Sequence, residues 1–224
     1  MISFERPEYQ DYTRLDLLKL IPNDTERLLD IGCNLGTFGY SLKSERNVEV
    51  WGVEPDSDSA SVAKERLDHV VVDIFHERNP LPDEYFDLVT FNDSLEHMED
   101  PAGALELCKR KLRSGGRVHC CVPNMRQIDN LEHLLFDKDW RYEKEGIRDR
   151  THLRFFTEKS ITRLFEECGF EIIQTIGTNE KWWDQGKILR RIFFKLFPEF
   201  TRDMRYIQIV VMAKLPDSAQ SVNS

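Results

Sequence analysis

The chain has no apolar run near the roughly eighteen residues that a membrane span needs, and its opening, MISFERPEYQ, carries charge where a secretory leader is apolar. Both absences predict a cytoplasmic protein. Positive charge is also scarce. The 31 Lys and Arg stand against 40 Asp and Glu, a net charge of −9, so no overall field draws nucleic acid or an anionic membrane. Cysteine is sparse and unpatterned: Cys33, Cys108, Cys120, Cys121 and Cys168 contain no CxxC pair. Cys120 and Cys121 are neighbours on an expected strand, so their side chains leave by opposite faces, which argues against a bridge. Buried thiols in a reducing compartment are expected. Metal-ligand spacing such as HExxH is missing too, and no metal is expected. There is no internal repeat, and only the last residues, 217–224, have the composition of a disordered tail.

What is present is an alternation. An opening amphipathic helix is expected over residues 8–21, stopped by Pro22. RLLDIG then reads as a buried strand, Thr37 to Ser44 as a helix, VEVWGVEP as a second strand and Ser57 to Leu67 as a second helix. HVVVDIF and FDLVTFND continue as strands. A helix from Pro101 to Leu112 is broken by Gly115 and Gly116 before the strand RVHCCVPN. Strands alternating with helices mean a mostly parallel α/β sheet covered on both faces. The last third is less regular: a helix from about Glu158 to Cys168, N-capped near Thr157, then the strands FEIIQTIG and MRYIQIVVMAK. One domain over residues 1–216 is expected, with 126–156 and 180–200 forming a lid.

The stretch LLDIGCNLGTFG, residues 28–39, is a strand running through a glycine turn into a helix, which leaves unpaired N–H groups for a ligand. Gly32 and Gly36 let backbone approach closely. Glu54 ends the second strand about twenty residues later, where a carboxylate can accept both ribose hydroxyls. A dinucleotide turn needs GxGxxG, and Asn34 stands where its middle glycine belongs. Asp30 would repel a phosphate and suits an ammonium group. A nucleoside with a cationic amino-acid arm, S-adenosylmethionine, therefore fits better than a nicotinamide cofactor. Asp73 is placed to accept from the adenine amino group, with Ile74 against the ring.

LLDIGCNLGTFG, VWGVEPD, VVVDIF, FDLVTFNDSLEHMEDP and LRSGGRVHCCVPN follow one another in order and spacing as in class I S-adenosylmethionine-dependent methyltransferases, which the chain resembles over roughly residues 25–215. The resemblance implies a Rossmann-like, seven-stranded, mostly parallel sheet of order 3-2-1-4-5-7-6 with helices on both faces. It implies that Asp30, Gly32, Cys33 and Gly36 hold the methionine arm, Glu54 the ribose, and Asp73 with Ile74 the adenine. Asn92 and Asp93 would line the cofactor at the end of strand four. Asn34 departs from the family's glycine pattern.

Acceptor residues should follow strands four and five, at the carboxyl edge of the sheet. The Asn-Pro-Pro-aromatic pattern of base-methylating enzymes is absent, which weakens a nucleic-acid acceptor. After strand four come Asp93, Glu96 and His97; further on, DRTHLRFFTEKS clusters Asp149, Arg150, His152 and Arg154 ahead of a helix. A hydroxyl acceptor must shed a proton, so His152 and His97 are the candidate catalytic residues. Asp149, Arg154 and Trp140 are candidates for substrate binding, since sugar rings stack on aromatic faces and charged groups bond their hydroxyls. His69, His76, His119 and His133 are read as lying at strand ends or on outer faces. Residues 140–170 resemble the methyltransferase group often found with bacterial surface-polysaccharide biosynthesis, which implies O-methylation of a sugar or glycan. A methyltransferase for another small molecule and a non-catalytic nucleoside-binding partner stay open. Residues 186–198, GKILRRIFFKLFP, interleave Lys187, Arg190, Arg191 and Lys195 with apolar residues. They read as a lid packed on the domain, a homodimer contact, or a peripheral membrane contact.

Overall fold

The computed structural model describes residues 13–182 and 187–216. Its centre is a seven-stranded sheet in the order β3-β2-β1-β4-β5-β7-β6. The strands are β1 (Arg27–Ile31), β2 (Glu49–Val53), β3 (His69–Val71), β4 (Phe86–Asn92), β5 (Leu112–Pro123), β6 (Glu171–Glu180) and β7 (Tyr206–Lys214). The first five run parallel, and β7 is antiparallel to both β5 and β6. The expected Rossmann-like order and mixed direction are those observed.

The central strands are continuous apolar runs because both of their faces are covered. Successive side chains go to opposite layers. Leu29, Val89, Cys120 and Val211 enter one core with Phe91, Phe165 and Phe170, whereas Leu28, Leu88, Cys121 and Val210 enter the other with Leu42 and Val50. Cys120 and Cys121 therefore diverge as their adjacency required, and all five cysteines are buried free thiols. Full burial of a side chain such as Phe91 or Leu88 contributes about 1.5–3 kcal/mol each.

The flanking helices begin where the sequence supplies caps. α1 (Leu15–Leu18) precedes the sheet, and α2 (Thr37–Glu45) starts directly from Gly36. In α3 (Ser57–Arg66) the Asp56 carboxylate accepts from the Ser59 amide; in α4 (Pro101–Lys111) Asp100 accepts from Gly103 and Pro101 occupies the first turn. α5 (Ile128–Glu132) runs into a π-turn over His133–Asp137. α6 (Glu158–Glu167) opens with a reciprocal capping box between Thr157 and Ser160 and sets Ile161 and Phe165 into the core. α7 (Ile188–Leu196) and α8 (Pro198–Thr201) precede β7.

Four expectations need correction. The opening helix, expected over 8–21, is α-helical among the described residues only at Leu15–Leu18; residues 8–12 lie outside them. Gly115 and Gly116 do not separate helix from strand: β5 begins at Leu112, and Gly115, at φ 70°, sits in an irregular stretch where the register against β4 shifts. β3 is three residues long, so Asp73 and Ile74 lie beyond it in a loop. His119 is not at an outer face; it is fully buried in β5 beside Asn92, whose Oδ1 lies 3.1 Å from its Nδ1.

The two irregular segments pack on each other. Ile128, Phe194 and Met204 form a third small core, on which the Trp182 ring stacks 4.9 Å from Phe194. Arg190 is buried there and donates to Glu132 (2.8 Å) and Asp129 (2.6 Å), while Lys187 reaches Glu132 at 2.8 Å. Two of the four cations expected on a membrane-facing surface are thus spent holding α7 to α5. Trp183, residues 183–186 of the expected lid and the tail 217–224 lie outside the described residues. Among the described residues no helix is long and apolar enough to cross a membrane.

Candidate active site

A cavity of about 670 Å³ opens at the carboxyl edge of β1, β2 and β4, the edge at which open α/β sheets take ligands. One end is built from backbone. Gly32, at φ 76°, donates to the Val53 carbonyl (2.8 Å), so the turn after β1 is tied to the end of β2. A Cβ at Gly32 would meet Ser94 Cβ at 2.7 Å, which is why glycine is needed. Asn34 also takes a left-handed conformation, φ 51°. Asparagine tolerates that region better than other non-glycine residues, which explains how it replaces a glycine here. Its amide donates to Glu54 Oε2 at 2.9 Å, and the Asp56 amide to Glu54 Oε1 at 2.9 Å. The Glu54 carboxylate is thereby fixed at the cavity wall with a lone pair of each oxygen still available.

Asp30 lies beneath the turn, 2 % exposed, and accepts from Thr90 Oγ1 at 2.6 Å. Burial, reinforced by the charge of Glu54, pushes its carboxyl up to about 6 against the Thr90 hydrogen bond. Burial likewise raises Glu54. Two desolvated carboxyls at adjoining strand tips favour a cationic guest, because an ammonium group offsets the cost of ionising them.

The other end is built from side chains. Asp93, at φ 53°, is gripped by the Arg14 guanidinium and by Gln208 Nε2; Arg14 also binds Asp16 (3.0 Å) and Gln208 Oε1 (3.0 Å). Glu96 follows in a 3₁₀ turn over Leu95–His97 and is 1 % exposed, with neither carboxyl oxygen hydrogen-bonded. Its backbone carbonyl accepts from both Leu153 and Arg154 (2.9 Å each), which docks the 149–154 loop on the turn. That contact brings His152 Nε2 to 3.8 Å from Glu96 Oε1 and sets the His97 and His152 rings edge to face at 4.8 Å. Burial, with the neighbouring His97, holds His152 below the usual histidine range, and burial drives Glu96 well above the carboxylate range.

Of the cofactor residues expected from the sequence, Asp30, Gly32, Cys33, Glu54, Ile74, Asn92 and Asp93 line this cavity. Gly36 does not: its missing Cβ faces Ala63 at 3.1 Å, so it permits α2 to pack on α3. Asp73 also stands outside the lining, its carboxylate 2.9 Å from His76 Nε2 and accepting from the Ile74 amide. His97, His152 and Asp149 line the cavity; Asp149 spends Oδ1 on the Thr151 amide and hydroxyl, 2.7 Å each. Arg154 and Trp140 do not line it. Arg154 bonds the carbonyls of Leu153 and Glu99, and Trp140 packs at right angles on Phe155, 5.6 Å away. Arg14 and Gln208 were missed because nothing local marks them: they reach the site from before β1 and from β7. Glu96 had a signal, an acid beside a histidine just past a strand end.

The profile of a family described as a methyltransferase domain matches residues 3–175. A ubiquinone biosynthesis O-methyltransferase from Aeromonas salmonicida is 27 % identical over 191 residues, 79 % of this chain and 76 % of that protein. An uncharacterized methyltransferase from Schizosaccharomyces pombe is 31 % identical over 132 residues, and the aligned 53 % of this chain spans 46 % of that relative. A solved S-adenosylmethionine-dependent methyltransferase from Archaeoglobus fulgidus superposes with a TM-score of 0.65 at 21 % identity, over 90 % of this chain and 91 % of that one, a likeness of fold.

Proposed function

The chain belongs to the S-adenosylmethionine-dependent methyltransferases of class I, and from that premise we propose that it methylates a hydroxyl oxygen of a small acceptor, in the first reading a sugar or glycan hydroxyl. The observation that carries this reading is a single cavity joining Asp30 and Glu54 at one end to Glu96, His97 and His152 at the other. Bound there, S-adenosylmethionine supplies an electrophilic methyl group on a sulfonium, whose transfer to oxygen leaves the neutral thioether. Asp30 takes the ammonium of its amino-acid arm, Glu54 the ribose hydroxyls, and Ile74 one face of the adenine. Asn92 and Asp93 border the reacting centre. His152 or His97 receives the acceptor's hydroxyl proton, and the loop that carries His152 excludes water from the transfer.

The polar groups Asp93, Gln208 and Asp149 support a hydroxyl-rich acceptor, as does the resemblance of residues 140–170 to methyltransferases of surface-polysaccharide biosynthesis. Trp140 lends no support, because its ring lies outside the cavity. A phenolic hydroxyl is the second reading, favoured by the apolar walls Met98, Ile147 and Ile207 and by the ubiquinone O-methyltransferase relative. In either case residues 1–216 act as one domain, in the cytoplasm, with 126–156 and 180–200 as cover. A peripheral membrane contact through 186–198 would rest on the exposed Ile188, Leu189 and Leu196. Incubation with labelled cofactor and a panel of nucleotide sugars, oligosaccharides and catechols is the test. Methyl ether on a sugar is expected; transfer to phenols alone moves the assignment to the second reading, and cofactor binding without any transfer supports a non-catalytic partner.

A further inference from the structure

We propose that Glu96, His97 and His152 form a binding site for one divalent transition-metal cation at the acceptor end of the cavity. The inference rests on the reading of that end as the acceptor site, and it goes against the expectation of no metal. That expectation followed from spacing along the chain, whereas these ligands come from two loops that the fold brings together.

The first observation is the donor set. One carboxylate oxygen and one nitrogen from each imidazole lie within 4.8 Å of one another. Ligands held about 2.1 Å from a tetrahedral ion stand about 3.4 Å apart, so contraction of at most about 1.4 Å closes the shell. His97, exposed on one side, has room to make that move.

The second observation is Glu96 itself. Both of its side-chain oxygens are buried without a hydrogen-bond partner, in a residue that lines the cavity. The 3.8 Å to His152 Nε2 is too long for a hydrogen bond. An orphan buried carboxyl of this kind is destabilising, and a cation beside it offsets that cost.

The third is the orientation of the imidazoles. His152 Nδ1 lies 3.2 Å from the Ile147 carbonyl, and His97 Nδ1 lies 3.2 Å from the Thr151 carbonyl. A carbonyl only accepts, so Nδ1 carries the proton in both rings and Nε2 keeps its lone pair. Backbone carbonyls fixing the tautomer are the usual support of histidine ligands to metals. Among the described residues the neighbouring acids are engaged elsewhere: Asp93 by Arg14, and one oxygen of Asp149 by Thr151.

Two imidazoles and one carboxylate suit Zn²⁺, Fe²⁺, Co²⁺ or Mn²⁺ rather than Mg²⁺ or Ca²⁺. Three protein ligands leave a position toward the cavity, where an acceptor hydroxyl would be oriented and its proton made easier to remove. With the ion bound, both imidazoles are ligands and no longer serve as the proton acceptor of the metal-free reading. The proton goes to solvent buffer, the oxygen lone pair forms the new O–CH₃ bond, and the S–CH₃ electron pair stays on sulfur.

The test uses the full chain, freed of metal by chelator and titrated with Co²⁺ and with Zn²⁺, and with Mg²⁺ as a comparison. S-adenosylmethionine binding is measured on the same samples. One ion per chain is expected, with the visible absorption of Co²⁺ bound by nitrogen and oxygen. Glu96→Gln and His152→Ala should each weaken it by more than the roughly 10- to 100-fold that loss of a supporting residue costs. His97→Ala, at an exposed position, serves if either buried variant fails to fold. Wild-type protein that binds cofactor but no Co²⁺ or Zn²⁺, variants with unchanged affinity, or a site that takes Mg²⁺ in preference would each overturn the assignment. Metal bound without any cofactor affinity would instead overturn the methyltransferase site and leave the metal site standing.

Discussion

The two ends of the cavity are made in opposite ways. The end proposed for the cofactor consists of turns at adjoining strand tips, where Gly32, Asn34 and Glu54 are locked by backbone hydrogen bonds at 2.8–2.9 Å over short stretches of chain. The end proposed for the acceptor is assembled from side chains that meet only after folding: Arg14 with Asp93 and Gln208, Glu96 with His152. A ligand shared by a whole family is met by backbone geometry, which admits few residues. An acceptor particular to one enzyme is met by side chains on loops, which vary freely.

That contrast predicts larger losses of cofactor affinity from changes at the first end. Asp30→Asn keeps the Thr90 hydrogen bond and removes only the charge. It should cost about 3–4 kcal/mol of cofactor binding, roughly 10²- to 10³-fold by calorimetry. The same change should stabilise the cofactor-free protein. Asp30 is raised from 3.8 to about 6, so between those values the native state holds a proton the unfolded chain has lost, and its contribution to stability falls as pH rises. The variant's advantage in urea unfolding should therefore be roughly 3 kcal/mol at pH 7 and shrink toward zero below pH 4. An advantage that is independent of pH would mean that Asp30 is not the desolvated acid described.

Gly32→Ala should destabilise by about 3 kcal/mol, from the left-handed backbone and the collision with Ser94, read as a lowered melting temperature. Arg14→Ala tests the other end. Loss of the partner of Asp93 should cost about 2 kcal/mol in stability while cofactor affinity changes only several-fold. A cofactor loss as large as that of Asp30→Asn would erase the distinction between the ends. Asn34→Gly should be the mildest change, within about 1 kcal/mol in stability and with cofactor binding kept, since glycine adopts the same φ without strain.

The same division decides how much could be read from the sequence. The sheet order came from the resemblance, and the strands were visible because runs such as LLDI and DLVTF are buried on both faces. Asp30, Gly32 and Glu54 were visible because strand tips in a parallel sheet have a fixed relation to chain spacing. Gly36 carried the right pattern for another reason, the packing of α2 on α3, and the Asp73 carboxylate is engaged outside the cavity lining by His76 and the Ile74 amide. His119 looked peripheral because its position in β5 gave no clue to the cover supplied by neighbouring strands. Trp140 and Arg154 had suitable chemistry, but a loop without period gives no facing direction. The sequence left Arg190 open among a packed lid, a dimer contact and a membrane contact; α5 brings two acids against it.

The most direct measurement is calorimetric titration of wild-type protein, and of Glu54→Ala, with S-adenosylmethionine and with NAD. The carboxylate-floored cavity predicts one S-adenosylmethionine per chain, at least tenfold weaker binding in the variant, and no NAD binding. Comparable affinity for NAD, or a Glu54→Ala protein that binds S-adenosylmethionine as tightly as wild type, would contradict it.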